Sequence, residues 1–104
     1  MGRKISIVCH GGAGYQLLFP EDSIVKGIRN AADAGFEILR RGGSAIDAVE
    51  EAVKVMEDDT VFNAGTGSAL TLKGTVEMDA SIMDGRTMNA GAVALISNIK
   101  NPIS

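Results

Sequence analysis

The sequence predicts a single mixed α/β (α+β) domain with the element order β-α-α-β-β-β. Three observations carry this. Two stretches of helical apolar spacing follow one another from Pro20 to Met56. A period of two then sets in from Thr75. A short β-branched run opens the chain and stops at a glycine-rich loop. At 104 residues there is room for one core and not for two.

The opening run, Ile5 to Cys9, is short and apolar, as expected of a buried strand. It ends at His10-Gly11-Gly12-Ala13-Gly14, a loop free to adopt unusual backbone angles and to let another backbone or a ligand approach. A Walker loop would need Lys-Ser/Thr, and a dinucleotide fingerprint a third glycine; neither is present. An oxyanion-hole reading of the loop would need a Gly-x-Ser-x-Gly elbow, which the chain does not contain. His10 and Cys9 are each unique, so they form neither a zinc cluster nor a Cys-His nucleophile pair. Cys9 is read as a packing residue, and a lone cysteine excludes an internal disulfide.

Pro20-Glu21-Asp22-Ser23 starts the first helix with acids in its first turn. Ile24, Ile28, Ala31, Ala32, Gly35, Ile38 and Leu39 make its apolar face, and Gly42-Gly43 ends it. Ser44, with Asp47 three residues on, starts the second helix, lined by Ala45, Ile46, Val49, Ala52, Val53 and Met56. The two apolar faces must lie on a common sheet or on each other.

Glu57, Asp58 and Asp59 crowd the end of that helix, where the dipole disfavours carboxylates. Phe62-Asn63-Ala64-Gly65-Thr66-Gly67 then turns the chain. Two readings of this stretch stand: a solvated acidic helix end, or a bed of backbone carbonyls for a bare cation. Ser68 to Leu72 and Thr75 to Met83 read as strands joined at Lys73-Gly74. Asp84-Gly85 is a turn. Ala90 to Ile96, apolar on both faces, reads as a central strand that needs cover on both sides; the two helices would supply one. Asn101-Pro102 is the signal that opens a helix, two residues before the end. The expectation is that these residues belong to a larger folding unit or pair with another chain.

A net charge of −3 leaves no footprint for nucleic acid, and no apolar run approaches the length needed to span a bilayer. The single cysteine and the missing signal-peptide core make the cytoplasm the expected location.

The motifs together resemble one family. HGGAG at His10, GGSAIDAVEEAVKVMEDD from Gly42, VFNAGTGSALTLKGTVEMDASIMDG from Val61 and AGAVALISNIKNPIS from Ala90 are similar to plant-type L-asparaginases and isoaspartyl aminopeptidases. These are threonine-type N-terminal nucleophile hydrolases, and the pieces follow the order of that family's N-terminal part. The FNAG form favours this branch over the glycosylasparaginases. The resemblance implies that the chain is the N-terminal portion of an αββα sandwich. It also implies self-cleavage that leaves a threonine at the start of a β-chain. That threonine attacks a small amide substrate, with its α-amino group as base. It further implies a structural Na⁺ held by the main-chain oxygens of Met56, Glu57, Asp59, Phe62, Ala64 and Thr66, and no organic cofactor. Asn63 would neighbour the nucleophile, and the His10 to Gly14 loop would lie beside the cleavage point. Implied partners are the rest of the α-chain, the β-chain and further copies of the complete protein. The family's threonine context is absent from Thr60, Thr66, Thr71, Thr75 and Thr87, so the chain alone is expected to be inactive. A different class of role is a stand-alone module that reuses the half-fold for binding or oligomerisation.

Overall fold

The computed structural model describes residues 4–12 and 19–104. Helix α1 spans Glu21–Arg40 and α2 spans Ala45–Asp58; a 3-10 turn covers Gly65–Gly67. Strands β1 (Met78–Asp84) and β2 (Asn89–Ile96) follow.

Local chemistry sets the helix ends. Glu21 and Asp22 occupy the first turn of α1, where the dipole favours them. At its other end Gly42 has φ +86°, its N–H donates to Leu39 O at 3.0 Å, and the Gly43 N–H donates to Ile38 O at 2.8 Å. That pair of bonds is a Schellman cap, and the left-handed residue in it is glycine because a Cβ would be strained there. The Asp47 N–H donates to Ser44 Oγ at 3.1 Å, the cap predicted for α2.

The two helices lie on each other. Gly35 is the contact point: a Cβ there would meet Ala48 O at 2.8 Å and Ala52 Cβ at 3.3 Å. Small side chains let the helices approach closely. The price is a thin core, since Ala31, Ala48, Ala52, Val61, Phe62 and Met78 are its buried apolar members among the described residues.

The β-region departs from expectation in three places. Ile5 to Cys9 has no ladder partner among the described residues. Only alternate residues turn inward: Ile5, Ile7 and Cys9 are half-buried, while Val8 is 93% exposed. Ser68 to Leu72 is not a strand. The turn at Lys73-Gly74 does form, with the Thr71 N–H donating to Thr75 O at 2.7 Å and the Gly74 N–H to Thr71 O at 2.9 Å, but pairing stops after that rung. The helices, packed on each other, do not cover β2, which is exposed along nearly its whole length. A strand needs a neighbour to satisfy its backbone, and periodicity alone does not supply one.

β1 and β2 form an antiparallel hairpin through the predicted Asp84-Gly85 turn, with Asp84 opposite Asn89 and Ala80 opposite Val93. Between Met78 and Ala80 the register slips. Leu95 takes φ +53° there, and its N–H donates to Asp79 Oδ1 at 2.8 Å, so a side-chain oxygen replaces the lost ladder bond.

Candidate functional site

Phe62 is the hub on which the sequence motifs meet. Its side chain is 3% exposed and lies between two glycines. A Cβ at Gly11 would fall 2.9 Å from its Cε1, and one at Gly27 would fall 2.8 Å from its Cε2. Of the described part of the first glycine loop, Gly11 is thereby packed against the start of the Asn63 loop, while His10 and Gly12 on either side of it are exposed. Ala13 and Gly14 lie outside the described residues. The Gly12 N–H donates to His10 Nδ1 at 3.1 Å, which leaves Nε2 as the protonated nitrogen of a neutral His10. Partial burial pushes the neighbouring Cys9 thiol up, away from thiolate chemistry.

Beyond Phe62 the chain folds back on the end of α2. Asn63 Oδ1 accepts the Ala69 N–H at 2.7 Å, closing the loop across its base. Within it the Gly67 N–H donates to Ala64 O at 3.0 Å and the Ser68 N–H to Gly65 O at 3.1 Å. Gly65 is buried with φ +50°, and a Cβ there would meet Glu57 O at 2.5 Å. Gly67 lies against the carbonyl oxygens of Phe62 and Thr60. Each glycine thus makes room where carbonyls gather.

The structure places the oxygens named for a cation as follows. The carbonyls of Glu57 and Phe62 line the two glycines. Those of Met56, Asp59 and Ala64 each accept one N–H, from Asp59, Phe62 and Gly67, at 3.0 to 3.3 Å, and each keeps a second lone pair. Thr66 stands on the exposed side of the turn. Among the described residues no group of three or more His, Cys, Asp or Glu could hold a metal, and the oxygens named for the cation are all main-chain carbonyls. That set fits a hard cation.

The acidic side chains do something else, which the sequence reading missed. Glu57 is not solvated: it is 3% exposed. Its Oε1 accepts from Asn101 Nδ2 at 3.2 Å and its Oε2 accepts the Ile103 N–H at 3.1 Å. Asp58 Oδ1 accepts from the same Asn101 amide at 3.0 Å, and Ser104 Oγ donates to Glu50 Oε1 at 3.2 Å. Asp59 Oδ1 accepts the Val61 N–H at 3.1 Å. The Asn101-Pro102 signal yields a single turn, closed by the Ser104 N–H on Asn101 O. Asn101 does not cap that turn; Glu57 takes its free N–H instead. A cavity of about 270 Å³ lies between this turn and the Asn63 loop, lined by Glu57, Asn63, Gly65, Glu77, Asp79 and Pro102, among others.

The family model described as Asparaginase matches residues 3–104. The chain belongs to the plant-type L-asparaginase and isoaspartyl peptidase family. It is 56% identical to the plant-type L-asparaginase of Pyrococcus abyssi over 103 residues, covering 96% of this chain and 33% of the relative. Identity to the plant-type L-asparaginase of Thermococcus kodakarensis is 58% over 102 residues, 95% of this chain and 32% of that protein. The human isoaspartyl peptidase/L-asparaginase is 52% identical over 99 residues, 95% of this chain and 32% of its own length. The chain thus spans about a third of the length of these asparaginase relatives. No helix among the described residues is long and apolar enough to cross a membrane.

Proposed function

We propose that this chain is the N-terminal scaffold portion of a threonine-nucleophile hydrolase. The complete enzyme cleaves L-asparagine to aspartate and ammonia and also cleaves isoaspartyl dipeptides. The observation that carries the reading is the junction at Phe62, which sets the His10 loop against the Asn63 loop, in a chain at least 50% identical to L-asparaginases and isoaspartyl peptidases. On this reading Asn63 neighbours the nucleophile and the His10 to Gly14 loop flanks the self-cleavage point. The threonine itself comes from a β-chain outside these residues. The rest of the α-chain and that β-chain complete an αββα sandwich over β2. The complete protein is a cytoplasmic homo-oligomer that needs no organic cofactor.

The loop after α2 holds a structural Na⁺ through the main-chain oxygens of Met56, Glu57, Asp59, Phe62, Ala64 and Thr66. Its contribution is neutralisation at an anionic helix end, not chemistry on the substrate.

The experiment measures ammonia release from L-asparagine and aspartate release from an isoaspartyl dipeptide. It compares the 104-residue chain alone with the chain completed by the remaining two thirds of a relative's sequence. Activity is expected from the completed protein only. Steady turnover by the chain alone, abolished by one substitution within it, overturns the scaffold reading; a completed, folded protein that cleaves neither substrate overturns the assigned activity.

A further inference from the structure

Glu57 touches both structures that frame the cavity near Asn63. On one side its two carboxylate oxygens face two donors, Asn101 Nδ2 at 3.2 Å and the Ile103 N–H at 3.1 Å. On the other, Gly65 rests against its carbonyl oxygen and its Cβ, so closely that a methyl group on Gly65 would lie 2.5 and 2.6 Å from them. Gly65 opens the turn whose base is closed by Asn63 Oδ1 and the Ala69 N–H. Glu57 is the buried charged residue among those described, and both of its oxygens are engaged. A buried carboxylate held by two donors keeps one rotamer, because leaving either donor unpaired costs more than the bond itself is worth.

We infer that Glu57 is a positioning residue: it locks the Asn101–Ile103 turn to the end of α2 and through Gly65 fixes the loop that carries Asn63. The inference rests on the hydrolase reading above for its effect on turnover, though not for its effect on the loop. Glutamine is the informative replacement. It keeps the size of the side chain but offers one acceptor oxygen to two donors: its NH₂ must face the Ile103 N–H or the Asn101 amide, and an Asn101 turned to accept from it would aim Oδ1 at the Asp58 carboxylate. Removing the Asn101 amide should relieve that conflict, since the remaining oxygen then serves Ile103 alone.

The test is made in the completed enzyme with Glu57→Gln, Asn101→Ala and the double variant, following amide hydrogen exchange at Gly67, Ser68 and Ala69 together with kcat and KM. Glu57→Gln should speed exchange at these three amides by roughly tenfold or more, in line with an unpaired buried donor. Amides within α1 should not follow. The variant should lower kcat with a smaller change in KM. In the Asn101→Ala background the same substitution should add much less. Unchanged exchange at the three amides, or additive effects of the two substitutions, overturns the positioning role. If Glu57→Gln does not fold, the single Asn101→Ala variant decides, by raising exchange at those amides selectively or failing to. A protein that shows the coupled exchange but hydrolyses neither substrate leaves the positioning role standing and overturns the activity assigned above.

Discussion

Glu37 shows at the scale of one residue how little a well-made surface contact can be worth and how clearly it can still be measured. Arg40 Nε donates to Glu37 Oε2 at 2.8 Å, and Arg41 Nε donates to Oε1 at 3.0 Å. The Arg40 hydrogen bond above all, with Arg41 beside it, holds the Glu37 carboxyl down to about 2 from an ordinary 4.5. A depressed carboxylate stabilises the fold fully above its ordinary value, and that contribution is lost as pH falls from 4.5 through about 2. Solvent screening discounts this exposed pair, so the Glu37 carboxyl resonance should titrate only modestly below 4.5 and move back toward it in Arg40→Met. All three side chains are solvent-screened, so Glu37→Gln should leave the melting temperature at pH 7 nearly unchanged. Glu57 is the opposite case. Its neighbours in sequence are acids, which made a solvated helix end a fair reading. Its two donors come from residues 44 and 46 positions further on, a separation that no local pattern reports.

At the scale of elements, what was legible in the sequence is what short-range chemistry decides. Ser44 with Asp47, Gly42-Gly43 and Asp84-Gly85 each set a cap or turn from within a few residues, and each stands where it was expected. Ile5 to Cys9 and Ser68 to Leu72 have strand-like composition, but a ladder depends on a distant neighbour. The site divides the same way: the glycines of the Phe62 loop marked a special backbone, while the packing of Gly11 and Gly27 on Phe62 needed the tertiary fold. The loop makes a sharp prediction at this scale. Gly65→Val places a β-branched residue at φ +50° and drives a methyl into the Glu57 carbonyl. The left-handed backbone alone should cost about 1–2 kcal/mol, before the clash is counted. Asp59→Asn, which keeps an oxygen for the Val61 N–H, should cost under about 1 kcal/mol. Thermal melts of the completed enzyme in sodium and in tetramethylammonium, at equal ionic strength, separate the two variants. A sodium-dependent rise in midpoint should survive Asp59→Asn and vanish in Gly65→Val. An equal midpoint in both salts would reduce the loop to a turn.

At the scale of the whole molecule the chain carries more apolar surface than it covers. Leu95 is 73% exposed, Val93 41% and Met83 52%, all on the hairpin, and among the described residues no large side chain is fully buried. Apolar patches of several hundred Å² are uncommon on stable monomers. The purified 104-residue chain should therefore bind an apolar-surface dye and self-associate without a fixed stoichiometry as its concentration rises, whereas the completed enzyme should leave the dye unbound and keep one defined assembly size. Sedimentation of the chain as a monomer at high concentration, with a sharp cooperative melt, would contradict this.

The close seam between α1 and α2 has a consequence in time as well as in space. The helices are adjacent in sequence, joined by four residues, and meet through Gly35, Ala48 and Ala52. Contacts this local close small loops and can form before the chain has found its distant partners. The Glu57 bonds to Asn101 and Ile103 span more than forty residues and belong late in folding. In stopped-flow measurements on the completed enzyme, Gly35→Ala, which drives a methyl into the Ala48 carbonyl and the flexible end of the Ile7 side chain, should slow refolding. Glu57→Gln should leave refolding almost unchanged and chiefly speed unfolding. The helical hairpin would then be the part of the molecule that starts the reaction, and the buried carboxylate the latch that keeps it from running backwards.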